Sequence, residues 1–250
     1  MHATREDVWR SAPPPPLGNH AVHVWRIRVD EMADNGRLSV LSGKEQERAR
    51  RFHFDTHRRC YIVSHSATRR ILGGYSGASP ETLTFTEGEF GKPSLVRAPG
   101  ACALEFNLSH SGDLALLAVS RGGEVGVDVE RWNAQIEHLN LAEHFFSESE
   151  QQALRGLTHA DELVVAGFFA AWSRKEAYLK ASGHGITRGL HHFDVTLVPG
   201  DDARLVADRM DDSATERWVM RDLPVDDGYS GAVVAAAPVD EIVLLDAGGM

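Results

Sequence analysis

Apolar positions in this chain recur every second residue in several short stretches and every third or fourth in a few longer ones. His23 to Val29 alternates cleanly, which predicts a strand with one buried face. Ser42 followed by Glu45 has the spacing of a capping box and starts a helix running to about Phe54, with Ala49 and Phe52 facing inward. A second helix is predicted from about Thr56 to Leu72, carrying Tyr61, Ile62, Ala67 and Ile71 and stopping at Gly73-Gly74. Leu83 to Thr86 reads as a strand before a turn at Gly91-Lys92-Pro93. Residues 105–108, 114–120 and 125–129 read as successive strands, the last two joined as a hairpin across Arg121-Gly122-Gly123. Helices are predicted over 133–145 and 147–157. Ser147 is the cap of the second, and Glu150 sits at capping-box spacing, which suits a purely structural role.

The longest helix is predicted over 161–181, apolar on most sides in its first half and ended by Ser182-Gly183. Strands follow at about 192–198, 203–207, 217–222, 229–237 and 241–245. Helices and antiparallel-looking strands without a β-α alternation give an α+β fold of two sub-domains, meeting near 122–126. The expected division is a flexible segment over 1–20 containing Pro13 to Pro16, a first sub-domain over 21–123 and a second over 124–250. The sequence shows no internal repeat.

Composition changes this picture little. The 250 residues are 42% hydrophobic and 25% charged, as in an ordinary globular protein, and no apolar run is long enough to span a bilayer. Without an apolar signal core, and with only Cys60 and Cys102, the chain reads as a cytoplasmic protein with reduced thiols. Charge is more informative. Residues 1–100 hold 15 Lys and Arg against 11 Asp and Glu, while the other 150 hold 11 against 25. The basic excess lies between Lys44 and Arg70. A local basic face in a protein of net charge −10 points to a discrete anionic ligand and away from nucleic acid.

The candidate chemistry lies in two stretches. Asp128 and Glu130 are two apart in a predicted strand, so they share a face, where their repulsion calls for a cation or a basic group between them. Just upstream, Ser109, His110, Ser111 and Gly112 form a set suited to phosphate. On the long helix, Trp172, Glu176 and Lys180 are spaced i, i+4, i+8 along one face. Asp128, Glu130 and Glu176 together make an all-oxygen set suited to a hard cation such as Mg2+, with Lys180 placed to neutralise a phosphate oxygen or to protonate a leaving group. No Gly-x-Ser-x-Gly elbow supports a hydrolase, and His184, His191 and His192 lack metal-ligand spacing.

Several motifs occur in order: Leu41-Ser42-x-x-Glu45-x-x-Arg48-Ala49-x-Arg51-Phe52, Gly91-Lys92-Pro93, Phe106-Asn107-Leu108-Ser109-His110-Ser111-Gly112, Val125-Gly126-Val127-Asp128-Val129-Glu130, Phe145-Phe146-Ser147-x-x-Glu150 and Trp172-Ser173-x-Lys175-Glu176-Ala177-x-x-Lys180. The set resembles the 4′-phosphopantetheinyl transferases of the Sfp type over roughly residues 22–238. The resemblance implies two similar α+β halves around a cleft, each with an antiparallel sheet and packed helices. It also implies transfer of the phosphopantetheine arm of coenzyme A to a serine of an acyl or peptidyl carrier protein, as in polyketide or non-ribosomal peptide assembly.

On that resemblance Asp128, Glu130 and Glu176 bind Mg2+, and Ser109 and His110 meet the nucleotide end of coenzyme A. Arg48, Lys92 within Gly91-Lys92-Pro93, and Lys180 contact phosphates, and Glu150 or Glu176 takes the serine proton. Many relatives carry an arginine before the aromatic of the second helix. Here Cys60 precedes Tyr61, and Arg59 or Arg58 is the expected substitute. The carrier is expected to dock on 132–148, including Phe145 or Phe146, and the protein to act as a monomer. The rival readings are a Mg2+-dependent phosphodiesterase or pyrophosphatase, and a non-catalytic module that binds coenzyme A or a carrier.

Overall fold

The computed structural model describes residues 8–11, 14–32, 37–88, 91–97, 103–183, 185 and 189–248. In chain order its elements are β1 (Ala21–Arg28), α1 (Arg37–Val40), α2 (Gly43–Arg50), α3 (Asp55–Ser76), β2 (Phe85–Glu87), β3 (Pro93–Leu95), β4 (Glu105–Ser111), β5 (Leu114–Ser120) and β6 (Val125–Arg131). Then come α4 (His138–Phe145), α5 (Glu148–Gly156), α6 (Asp161–Ser182), β7 (Phe193–Val195), β8 (Leu205–Asp208), α7 (Ala214–Arg217), β9 (Trp218–Asp222), β10 (Tyr229–Ala236) and β11 (Glu241–Asp246).

Two sheets stack in the middle and a long helix covers the outer face of each. The first sheet runs β11-β1-β5-β4 and the second β6-β10-β9; β2–β3 and β7–β8 are separate hairpins. Strand alternation sorts the apolar side chains into three cores. Trp25 and Ile27 of β1 meet Val63, Ala67 and Ile71 of α3. Ala232 and Val234 of β10 meet Phe168 and Tyr178 of α6. Between the sheets, Val22, Val24, Leu114 and Leu116 pack against Val125, Val127, Val129 and Val233. Each sheet strand at the centre is therefore buried on both faces, as β5 is throughout.

The structure corrects several expectations. Residues 114–120 and 125–129 do not form a hairpin, because both edges of β5 are already taken by β1 and β4. Residues 121–124 instead carry the chain to the other sheet, and the hairpin is β4–β5, turned at Gly112 with φ +58°. Helix α3 continues through Gly73-Gly74. A Cβ at Gly73 would stand 2.8 Å from the Ala78 carbonyl, so this glycine allows a close approach and the helix ends at Gly77, φ +70°. Helix α4 begins at His138, not 133.

The division of the chain also differs. Strand β11, expected in the second half, pairs in parallel with β1, so the first sheet is mixed. The lead-in is not free over 8–11 either. Trp9 is buried under the Arg26 guanidinium and donates to the Pro224 carbonyl, and Arg10 bridges to Leu245. An indole that finds apolar cover docks its segment with it. Cys102 and His184 lie outside the described residues; Cys60 is a buried thiol whose pKa burial pushes up to about 11.

Candidate active site

The two sheets meet along β4 and β6, and there the side chains of β4 replace a backbone ladder. Asn107, Ser109 and Ser111 are two apart and point across the seam together. The Asn107 carboxamide oxygen accepts the Val127 N–H at 2.9 Å. Ser109 Oγ donates to Asp128 Oδ1 at 2.8 Å, and Ser111 Oγ donates to Glu130 at 3.1 Å while accepting the Arg131 N–H at 3.0 Å. The serines that the sequence offers for phosphate are thus held on the carboxylates of the facing strand.

The third element is α6. Twelve of its residues are buried, and Trp172, Glu176 and Lys180 form a half-buried stripe along it, as their spacing predicts. The helix lies against β6 backbone to backbone: a Cβ at Gly126 would stand 2.2 Å from the Ala177 carbonyl oxygen and 2.3 Å from the Ala181 nitrogen. That contact carries Lys180 to Asp128, with Nζ 2.5 Å from Oδ1 and 3.0 Å from Ser109 Oγ.

Electrostatics binds the three carboxylates into one site. Asp128 is 2% exposed, and burial raises its pKa against the opposing pull of Lys180 and Ser109. Burial, and then the Asp128 charge, push Glu130 up to about 7, with Glu176 adding to the rise. Glu176 is raised by burial and by Asp128 in turn. All three carboxylates thus resist ionisation, chiefly through burial and, at Glu130 and Glu176, through the Asp128 charge, a condition that a bound cation relieves.

Among the described residues no three acidic, His or Cys side chains converge closely enough to cage an ion by themselves. The donor set nonetheless fits a hard divalent ion. All its atoms are oxygens, and Asp128 Oδ2 is buried with no hydrogen-bond partner. Ligands from outside the chain have to complete such a site.

Beside the carboxylates lies a basic wall that sequence reasoning only partly identified. His110 is exposed yet crowded, and desolvation holds its imidazole below the usual pKa, followed by the charges of His65, Lys180 and His57. His57, Tyr61 and His65 are spaced i, i+4, i+8 on α3, a signal present in the sequence and not singled out there. Tyr61 carries His65 on its ring, centroids 4.0 Å apart, and the Arg48 guanidinium 5.6 Å from its centroid.

Other predicted residues sit apart from this cluster. Glu150 is 3% exposed; one oxygen accepts the Ser147 N–H and Lys175 Nζ, the other the Val195 N–H. Its capping-box role is the one observed. Arg59 donates to the carbonyls of Val29, Asp30 and Met32, and Arg58 pairs with Asp55, so neither is brought to the cluster. Gly91, with φ +77°, turns the chain before Pro93 opens β3. Between them, Lys92 Nζ donates to the Val125 carbonyl at 3.0 Å, and burial lowers its pKa. Phe146 is buried and stacked on Phe168, whereas Phe145 is 41% exposed with its edge on Trp172. No helix among the described residues is long and apolar enough to cross a membrane.

Comparison with known proteins accounts for both halves. Residues 25–122 match the family model described as 4′-phosphopantetheinyl transferase, N-terminal, and residues 124–236 match the 4′-phosphopantetheinyl transferase superfamily. The chain is 36% identical over 234 residues to the 4′-phosphopantetheinyl transferase HetI of Nostoc sp. (strain PCC 7120), covering 92% of this chain and 94% of that one. It is 34% identical to the 4′-phosphopantetheinyl transferase psf-1 of Bacillus pumilus, over 79% and 80% of the two chains. It is 30% identical to the 4′-phosphopantetheinyl transferase Sfp of Bacillus subtilis (strain 168), over 80% and 84%. The boundary between the two matched models falls at the crossing from β5 to β6. With relatives that match nearly end to end, this chain belongs to the 4′-phosphopantetheinyl transferases.

Proposed function

We propose that the protein transfers the phosphopantetheine arm of coenzyme A to a serine of an apo acyl or peptidyl carrier protein, with Mg2+ held by Asp128, Glu130 and Glu176. The observation that carries this reading is the unpartnered buried oxygen of Asp128 beside Lys180, within electrostatic reach of two further carboxylates that resist ionisation. A cation that still needs outside oxygens suits a ligand with a pyrophosphate, and the basic wall of His57, His65, His110 and Arg48 suits the remaining phosphate of coenzyme A.

When bound, the ion supplies charge neutralisation at the pyrophosphate. The chain's own groups do the rest. The carrier serine oxygen forms the new P–O bond as the bond to adenosine 3′,5′-bisphosphate breaks. The serine proton passes to Glu176, which burial and the Asp128 charge make more basic than an ordinary carboxylate. Glu150 is left out of this step because its oxygens are spoken for. Lys180 turns from Asp128 to the phosphate oxygens and holds the charge that leaves with the nucleotide.

The test is incubation with coenzyme A, Mg2+ and an apo carrier. The carrier gains the mass of the phosphopantetheine arm and adenosine 3′,5′-bisphosphate appears in equal amount. Cleavage of coenzyme A without that gain makes the protein a phosphodiesterase, and binding without turnover makes it a carrier or nucleotide module.

A further inference from the structure

The two halves share a device that the sequence does not display as a repeat. In the first half Ser42 caps α2 in a capping box with Glu45, and Glu45 Oε2 accepts Arg69 Nε at 2.8 Å. Arg69 also donates to the carbonyls of Pro80 and Leu83, at 2.8 and 3.0 Å, with its guanidinium 5.0 Å from the Phe85 ring centroid. In the second half Ser147 caps α5 in a box with Glu150, whose Oε2 lies 2.7 Å from Lys175 Nζ. Lys175 likewise donates to two carbonyls, Leu190 at 2.8 Å and Phe193 at 2.6 Å, with Nζ 4.4 Å from the Phe193 ring centroid.

Arg69 and Lys175 are each the fifteenth residue of a 22-residue helix, and both helices end on a serine followed by a left-handed glycine. Each clasp therefore ties a capping box, a long helix and the chain after that helix at one buried point.

The second clasp stands next to the three carboxylates, whereas the first reaches the basic wall, with Glu45 Oε1 3.8 Å from His65 Nδ1. Lys175 is 0% exposed and directly precedes Glu176. On its other side α6 touches β6 backbone to backbone at Gly126, Ala177 and Ala181, and Arg174 on Asp222 and Tyr178 on Asp208 tie it to its other neighbours. We propose that Glu150 and Lys175 are a positioning pair. They fix the rotation of α6 about its axis and so aim Glu176 and Lys180 at Asp128. This inference rests on the site reading given under Proposed function. With a carboxylate some 6 Å from the axis, a roll of about 20° displaces it by about 2 Å. Misplacement on that scale lowers rate about 10²-fold.

The matching clasp in the first half supplies the control. Two double variants, Glu150→Gln/Lys175→Met and Glu45→Gln/Arg69→Met, each remove both buried charges and leave neither unpaired. Stability is read by denaturant unfolding, Mn2+ binding by the free-ion electron paramagnetic resonance signal with coenzyme A at a concentration that saturates each variant, and transfer by carrier mass gain. Both variants are expected to lose stability to a similar degree. The second-half variant alone is expected to weaken Mn2+ binding at least 10-fold and kcat about 10²-fold. Equal effects on Mn2+ binding in the two variants, or none in either, overturn the proposal.

Should either double variant fail to fold, the swaps Lys175→Arg and Arg69→Lys take their place. Lys175 is fully buried and a larger head group overpacks its site, so Lys175→Arg is expected to weaken Mn2+ binding about 10-fold while Arg69→Lys leaves it unchanged; unchanged binding in Lys175→Arg overturns the proposal. If the wild-type protein transfers nothing to any carrier, the functional reading has failed. If it transfers and the clasps behave alike, only the positioning role has.

Discussion

Lys180 Nζ lies 2.5 Å from Asp128 Oδ1, so the carboxylate most deeply buried in the seam is neutralised by a side chain reaching from the opposite layer. The same carboxylate leaves its second oxygen unpartnered. An amine and an orphan oxygen on one carboxylate suit the small cation and anionic ligand proposed above. Asp128→Asn keeps the shape and an acceptor for Ser109 but removes the charge. Transfer is expected to fall by at least about 10²-fold, measured as carrier mass gain, and thermal stability to change little, since a desolvated charge goes with it.

Glu130 supplies the pH dependence. Its pKa of about 7 in the folded chain lies above the 4.5 of the unfolded one. The neutral carboxyl is favoured by folding, so its contribution to stability is complete below about pH 4.5 and is lost as pH rises through about 7. The melting temperature of the metal-free protein is expected to decline from pH 5 to 8. A divalent ion competes with that proton, so the Mg2+ concentration for half-maximal binding is expected to fall over the upper part of the same window. Glu130→Gln should flatten both trends in parallel melting and titration series. A trend that survives the substitution assigns it to another group.

Glu150 and Glu176 separate by what they lose. Glu150→Ala leaves Lys175 charged and buried without its acid, which costs about 3–5 kcal/mol in denaturant unfolding. Glu176→Ala removes a carboxylate strained by its neighbours. It should unfold at the wild-type midpoint or above it while transfer is abolished. A stable, inactive Glu150→Ala would return that residue to the list of bases.

The adjacent phenylalanines make a similar pair. Phe145 is exposed on the Trp172 edge, and Phe145→Ala is expected to raise the KM for the carrier about tenfold with the KM for coenzyme A unmoved. Phe146 is core, and Phe146→Ala should cost about 3–5 kcal/mol of stability. An unchanged carrier KM in the first variant moves the docking surface elsewhere.

At Gly126 any side chain meets the backbone of α6. Gly126→Ala is expected to lower stability by about 1–3 kcal/mol and to reduce transfer more than that loss explains, because the helix that moves carries Glu176 and Lys180. Unfolding and transfer assays on one preparation test both parts.

Much of this arrangement was legible in the residue order. The i, i+4, i+8 stripe of Trp172, Glu176 and Lys180 and the two-residue spacing of Asp128 and Glu130 are local periodicities that survive folding unchanged. What escaped depends on partners far along the chain. Nothing in residues 114–129 says that both edges of β5 are occupied, so the β5–β6 hairpin looked natural. Nothing in the 241–245 run names β1 as its neighbour. Glu150 was ambiguous for another reason. A capping box and a catalytic acid can share one spacing, and local pattern does not reveal the buried Lys175 that pairs with it. The repeat of clasps was hidden because arginine fills the position in one half and lysine in the other.

The path of β11 has a last consequence. The chain leaves the first sheet at Ser120 and rejoins it at Glu241, and the two crossings run side by side, with the Ala236 N–H donating to the Glu124 carbonyl. Two adjacent strips of chain therefore tie the two sheets at one place, so a substitution in either strip bears on both crossings at once.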